Sequence, residues 1–364
     1  MKRFIVKCAI LTIVLYGLVV SMNLIADSAN LFKHKMVVKM SEELSSGNIV
    51  RSPGDFDEGE LTELMIASDS FSYDTVVLGS SSVIYVPWEG DCFVAGLSGA
   101  YLKDMIAVVG ILESKDKLPK KIIIGLDPWN LKEDGGSQRH TSIKKYSDYE
   151  IALFEGKNEE EASRHLQSSD LGAVAEKVSE LFSFSYFQSS VDYINKSGWR
   201  NIPSIIKREV TVLSEDEAKS LPAIYPKGGR SLTSTASVTD MDNEANYYVS
   251  EGSIMYLGDH YPAVSEYNVD LLRKFLSHLK EAGVETELYI TPMYPVLYDY
   301  VKTSGNYEGV IETERLLGVI AAEEGAKLCG SFDPSKIGLD KEDFADVFHL
   351  LPESGLKDYK TILE

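Results

Sequence analysis

The 364-residue sequence is poor in cysteine and histidine, with three of the first and six of the second. Cys8 lies in an apolar N-terminal run, so only Cys92 and Cys329 remain elsewhere. That excludes a disulfide framework and leaves stability to a hydrophobic core. Two buried thiols, or one bridge between them, are the readings left open. There is no Walker phosphate loop and no cysteine-histidine zinc spacing, and no cofactor or metal is expected. The Gly-x-Ser-x-Gly elbow of α/β-hydrolases is missing too. Runs of Lys and Arg are lacking, and a formal net charge of -20 repels a phosphate backbone, which argues against a nucleic-acid partner.

Lys2, Arg3 and Lys7 precede an uncharged, mostly apolar run from Cys8 to Ile25, long enough to cross much of a bilayer as a helix. The positive-inside bias places the N-terminus in the cytoplasm and everything after about residue 28 on the far side of the membrane. The expected organisation is a cytoplasmic tip and transmembrane anchor over residues 1–28, a connector over 29–70 and a folded domain over 71–364. A cleaved signal peptide is the rival reading, with Ala26-Asp27-Ser28 as a small-x-small site and secretion as its consequence. Ser41 to Ser70 is polar and reads as a stalk with one short helix.

Asp74 to Gly79, Lys121 to Leu126, Glu285 to Ile290 and Ala326 to Cys329 are short apolar runs of the kind buried in parallel sheets. Between them, Tyr101 to Glu113, Val264 to Ala282 and Tyr307 to Glu324 carry apolar residues at helical spacing, the last two followed by cap glycines Gly283 and Gly325. This alternation predicts an α/β fold with a doubly wound parallel sheet. Residues 133–262 break the alternation and read as a large insertion, with helix-like segments at Glu159 to His165 and Leu171 to Phe182. Such an insertion overhangs the carboxyl edge of the sheet, where α/β proteins bind ligands, and suits a lid.

Gly79-Ser80-Ser81-Ser82 follows the first strand directly, where a tight turn can expose a hydroxyl or simply cap a helix. Asp346 stands three residues before His349, a spacing at which both side chains can share one face. A carboxylate can then fix the imidazole tautomer while the other ring nitrogen faces a serine. His278 reads as part of a solvated helix face, His34 lies near the membrane, and His140 and His165 read as surface residues. His260 adjoins Asp259, but neighbours in an extended segment point apart. Asp240, Asp242, Glu244 and Glu251 take calcium-loop positions, yet Ala245 replaces the turn glycine, so a solvated acidic loop is expected.

Gly79-Ser80-Ser81, Gly96-Leu97-Ser98-Gly99, Gly125-Leu126-Asp127 and Asp346-Val347-Phe348-His349, in that order, resemble the four blocks of the SGNH, or GDSL-like, hydrolase superfamily. The resemblance implies a flavodoxin-like α/β/α sandwich with Ser81 as nucleophile, His349 as base and Asp346 as its orienting acid. It implies oxyanion donors at the Ser81 and Gly99 backbone N–H groups. Two departures stand out: Ser80 replaces an aspartate, a variant associated with membrane-anchored members that acylate cell-surface polysaccharides, and Asp127 replaces a donor asparagine. An ionised Asp127 would accept rather than donate, leaving Asn130 or Ser82 as alternative donors. The function implied is an extracytoplasmic serine O-acyltransferase or esterase on a cell-envelope glycan, with a membrane-bound acyltransferase as acyl supplier. The alternative is a catalytically silent module that binds glycan or an envelope-assembly partner.

Overall fold

The structure is a computed structural model that describes residues 2–27, 34–53, 56–133, 138–167, 178–179, 181–207 and 209–359. In chain order its strands are β1 Ile49–Arg51, β2 Thr75–Gly79, β3 Cys92–Gly96, β4 Lys121–Leu126, β5 Val212–Leu213, β6 Ala223–Ile224, β7 Glu285–Ile290 and β8 Lys327–Gly330. Five of them form one all-parallel sheet in the order β3-β2-β4-β7-β8. Counted within that sheet the order is 2-1-3-4-5, which reverses between β2 and β4 and opens a crevice beyond their carboxyl ends.

The pleat divides the side chains of each strand between two layers. Val76, Leu78, Ile122, Ile124, Leu288 and Ile290 enter the main core with the helices Leu102–Ser114, Glu266–Glu281 and Glu308–Glu324. Val77, Ile123 and Tyr289 face the other way, onto Val83 of the one-turn helix Ser81–Ile84, with Trp88 and Tyr359 packed against them. Both faces are thus covered, which is why these strands read as unbroken apolar runs.

Four of the five strands match the sequence expectation to within a residue or so. Strand β3 was not among the expected runs. The presumed stalk is also different. Helices His34–Ser45 and Glu58–Ala67 flank β1, and Met40, Leu44, Val50, Leu61 and Ile66 are buried in the main core. Its polar residues mark the outer faces of packed helices. In 133–262, β5 and β6 pair antiparallel with β1, and Glu159–Gln167 is helical as expected. The expected helix at Leu171 to Phe182 falls mostly outside the described residues. The acidic stretch from Asp240 is not a loop: Ser237 caps the helix Val238–Glu251, and Asp242 pairs with Lys341 at 2.8 Å.

Cys92 and Cys329 are both free and buried. They sit on β3 and β8, the two edges of the sheet, so four inter-strand steps of ~4.8 Å put about 19 Å between them, beyond any disulfide. Burial pushes the Cys92 thiol up to about 11.

The helix Lys2–Ala26 is long and apolar enough to span a membrane. Its side chains from Phe4 to Leu18 are exposed, whereas Asn23, Ala26 and Asp27 are fully buried. Helices Phe184–Ser197 and Ile202–Lys207 cover that end. Tyr186 donates its hydroxyl to Asp27 at 2.7 Å, and the Asn23 amide donates to the Leu181 carbonyl at 3.0 Å.

Candidate active site

Strand β2 ends at Gly79, where a φ of +150° and tight contacts with Val83 and the Gly125 carbonyl would strain any side chain. The chain then turns into the helix Ser81–Ile84, with Ser80 as its cap accepting from the Ser82 N–H at 3.2 Å. A Cβ on Gly125 would lie 2.4 Å from Val83, so a glycine at the end of β4 is what lets this short helix sit on the sheet. Ser81 occupies the first helical position, where the backbone N–H has no intrahelical acceptor and is available to an anion.

Asp346 and His349 lie beyond β8 and reach the same place. The Ser81 Oγ is 2.8 Å from His349 Nε2. On the other side of the ring, Nδ1 is 2.8 Å from Asp346 Oδ2 and 2.9 Å from Oδ1. With Nδ1–H donating to the carboxylate, the Nε2 lone pair faces the serine hydroxyl. The three-residue spacing works through a turn rather than a helix: Asp346 Oδ1 accepts from the N–H groups of Phe348 and His349 at 2.8 and 2.9 Å. Burial raises the Asp346 carboxyl, but the His349 hydrogen bond and charge and the two backbone N–H groups outweigh it, leaving Asp346 below the usual carboxylate range. Tyr85 packs against the imidazole in a T-shaped contact, ring centroids 5.3 Å apart and planes at 87°.

Asp127, just past β4, is the other central residue. Its Oδ1 accepts from Ser82 Oγ and from Thr291 Oγ1, each at 2.7 Å, and its Oδ2 is buried with no partner among the described residues. Complete burial pushes the carboxyl above its ordinary range, and the hydroxyl donors offset only part of that. The two alternative donors are otherwise engaged. Ser82 gives its proton to Asp127, and Asn130 accepts from the Asp127 N–H at 2.6 Å while turning its amide toward the Ala100 carbonyl. Gly99 has a φ of +64° in the turn after β3, where a Cβ would press on Arg139 and the Tyr256 hydroxyl, and it does not line the cavity beside Ser81.

That cavity holds about 120 Å³ and is walled by Asp127, Trp129, Tyr256, Met293, Phe348 and the triad serine and histidine. Met255 and Tyr256 come from the 133–262 stretch, so that segment does reach the site. Beyond Tyr85 lies a larger, more open cavity of about 820 Å³ lined in part by Trp88, Tyr225, Lys219, Lys227 and Arg230. Arg230 donates to Glu58 at 2.8 Å, and Glu58 in turn accepts from the Ser98 N–H and hydroxyl at 2.6 and 2.8 Å. Thr291, Tyr85, Glu58 and Arg230 were not singled out in the sequence, because none belongs to a local motif.

The remaining histidines divide differently from expectation. His260 does contact Asp259, at 2.6 Å, but the pair is solvent-exposed and does not line the site cavity. His140 is half-buried, with Nε2 3.1 Å from the Ser98 carbonyl. His278 is not on a solvated face: it is half-buried against Glu113. Neither a scan of protein-family models nor a search of curated proteins finds a match to this chain. The fold and site together define an α/β protein with a serine-histidine-aspartate constellation at the carboxyl edge of its parallel sheet.

Proposed function

We propose that the protein is an SGNH-like serine acyl-transfer enzyme, an O-acyltransferase or esterase working on a cell-envelope glycan outside the membrane. The observation that carries this reading is the unbroken chain from Ser81 Oγ through His349 to Asp346, each link 2.8 to 2.9 Å long. In the first step the Ser81 oxygen attacks the acyl carbonyl as His349 takes its proton. The tetrahedral intermediate then expels the donor's alcohol, which receives that proton from His349. A glycan hydroxyl or a water repeats the sequence in the second half-reaction and frees the serine.

The cavity beside Ser81, about 120 Å³, is much smaller than the neighbouring one of about 820 Å³. That favours a short acyl group, such as acetyl. The wider cavity with Trp88, Tyr225 and basic side chains suits a sugar polymer. With purified full-length protein in detergent, p-nitrophenyl acetate should be hydrolysed in preference to p-nitrophenyl octanoate. A preference for the octanoate, or hydrolysis equal in S81A, would overturn the reading.

The second proposal within this function concerns Asp127. An ionised carboxylate oxygen buried without a donor costs several kcal/mol, whereas a neutral acid bears a proton on the free oxygen. In that form Oδ2–H becomes a donor and does what an asparagine amide would do for an oxyanion. The neutral form is complete at low pH and is lost as pH rises through the elevated pKa. Asp127→Asn is therefore expected to keep activity within about threefold and to lack the alkaline fall of the parent profile, while Asp127→Ala drops about a hundredfold. Equal losses in the two variants would count against this role.

A retained anchor fits the burial of Asn23 and Asp27 against the helix Phe184–Ser197, since cleavage after Ser28 would remove both of these packed residues. Phe182, Phe184 and Trp199 are exposed on the segment that covers this end, as expected where protein meets headgroups. Intact mass measurement of membrane-extracted protein should find residues before Asn23 present. A mature chain beginning near Ser28 would show the anchor reading wrong.

A further inference from the structure

Away from the serine site, three helices converge on a cluster of groups that the acyl-transfer chemistry does not use. Glu113 ends the helix Leu102–Ser114, Glu150 lies on Lys144–Phe154, and His278 lies in the last turn of Glu266–Glu281. One ligand atom from each lies within 4.8 Å of the other two. His278 Nε2 is 2.7 Å from Glu113 Oε1 and 3.8 Å from Glu150 Oε2.

Glu150 is the unusual member. It is 1% exposed, and both its carboxylate oxygens lack a hydrogen-bond partner among the described residues. Space is made for it by Gly110, in the middle of the neighbouring helix. A Cβ there would stand 3.2 Å from both Glu150 Cγ and Oε1. A mid-helix glycine costs about 1 kcal/mol relative to alanine. The fold therefore accommodates a carboxylate where an apolar side chain would pack at no such cost. His278 is the only basic side chain within ion-pair distance of Glu113 or Glu150 among the described residues. With at most one imidazolium present, ionising both carboxylates together needs a further cation.

We propose that Glu113, Glu150 and His278 form a binding site for one divalent transition-metal ion, zinc or manganese, that ties the three helices together. Ligand atoms about 2.1 Å from a tetrahedral zinc stand about 3.4 Å apart, and the observed separations straddle that spacing. The ion enters between His278 and Glu113, replaces their direct hydrogen bond and satisfies the Glu150 carboxylate. Glu113 and His278 remain partly exposed, which leaves a fourth position for water and an entry path. A set of two carboxylates and one imidazole suits zinc or manganese better than calcium or magnesium, which favour oxygen alone. Lying on three packed helices rather than at the carboxyl edge of the sheet, the site is structural.

The rival state is metal-free, with Glu150 protonated: burial, with the neighbouring Glu113 charge, pushes it up to about 8. The two states respond oppositely to Glu150→Gln. Full-length protein in detergent is stripped with EDTA and titrated with zinc chloride, then with manganese chloride, following bound metal per chain and thermal unfolding. The proposal expects one ion per chain and a rise of several degrees in Tm. It expects Glu150→Gln and His278→Gln to weaken binding at least tenfold, with the metal-free Tm of Glu150→Gln no lower than that of the parent. Labelling of Ser81 should be unchanged in Glu150→Gln, which keeps this result separate from the acyl-transfer proposal. No stoichiometric binding of either metal, or binding of parent strength in both variants, would overturn it.

Discussion

Replacing Ser81 by alanine is expected to lower acyl-ester turnover by about 10⁵ to 10⁶-fold, the scale on which removal of a triad nucleophile acts. The effect should be on turnover alone. Ser81 Oγ bonds to His349, and the cap of its helix is Ser80, whose side chain accepts from Ser82. No buried donor is orphaned by the change, so Tm should stay within about a degree or two of the parent. A parent enzyme no faster than S81A would mean that the triad geometry is idle.

Asp346→Asn is the second large effect, about 10⁴-fold, and it acts through the tautomer. The backbone N–H groups of Phe348 and His349 both donate to Oδ1, so an asparagine keeps its carbonyl oxygen there. Its NH₂ then occupies the Oδ2 position, 2.8 Å from His349 Nδ1. A donor at this nearer position, beside an Oδ1 already taken by two backbone N–H groups, favours the tautomer with its lone pair at Nδ1 and its N–H at Nε2, toward Ser81. The base is lost with the shape preserved. His349→Ala should fall at least as far, and unlike Asp346→Asn it also removes the packing surface for Tyr85. Comparable kcat in Asp346→Asn and the parent would exclude His349 as the base.

The parallel sheet was legible because strands buried on both faces are continuous apolar runs, as in Val76-Val77-Leu78 and Ile122-Ile123-Ile124. Strand β3, Cys92-Phe93-Val94-Ala95-Gly96, was hidden because Val94 is its only β-branched residue. The stalk reading of residues 41–70 failed because composition reports the polar outer faces of Glu58–Ala67 as well as the whole of a loop, and only packing tells them apart. In the site, the two local motifs carried Ser81, Asp346 and His349. Thr291 and Tyr85 are brought in by tertiary structure, which no spacing encodes. The state of Asp127 rests on burial and on which atoms donate to it, neither of which can be read from Gly125-Leu126-Asp127. His278 was misplaced for a related reason. Helical periodicity put it on a solvated face, but its neighbours Glu113 and Glu150 come from two other helices.

The central claim is that Ser81 is an activated nucleophile, and covalent trapping tests it most directly. Full-length protein in detergent is treated with a fluorophosphonate, digested, and its adduct located by mass spectrometry. A single adduct on the peptide containing Ser81, absent in Ser81→Ala and strongly reduced in His349→Ala, is the predicted result. No adduct, or one that persists when Ser81 is replaced, would contradict it.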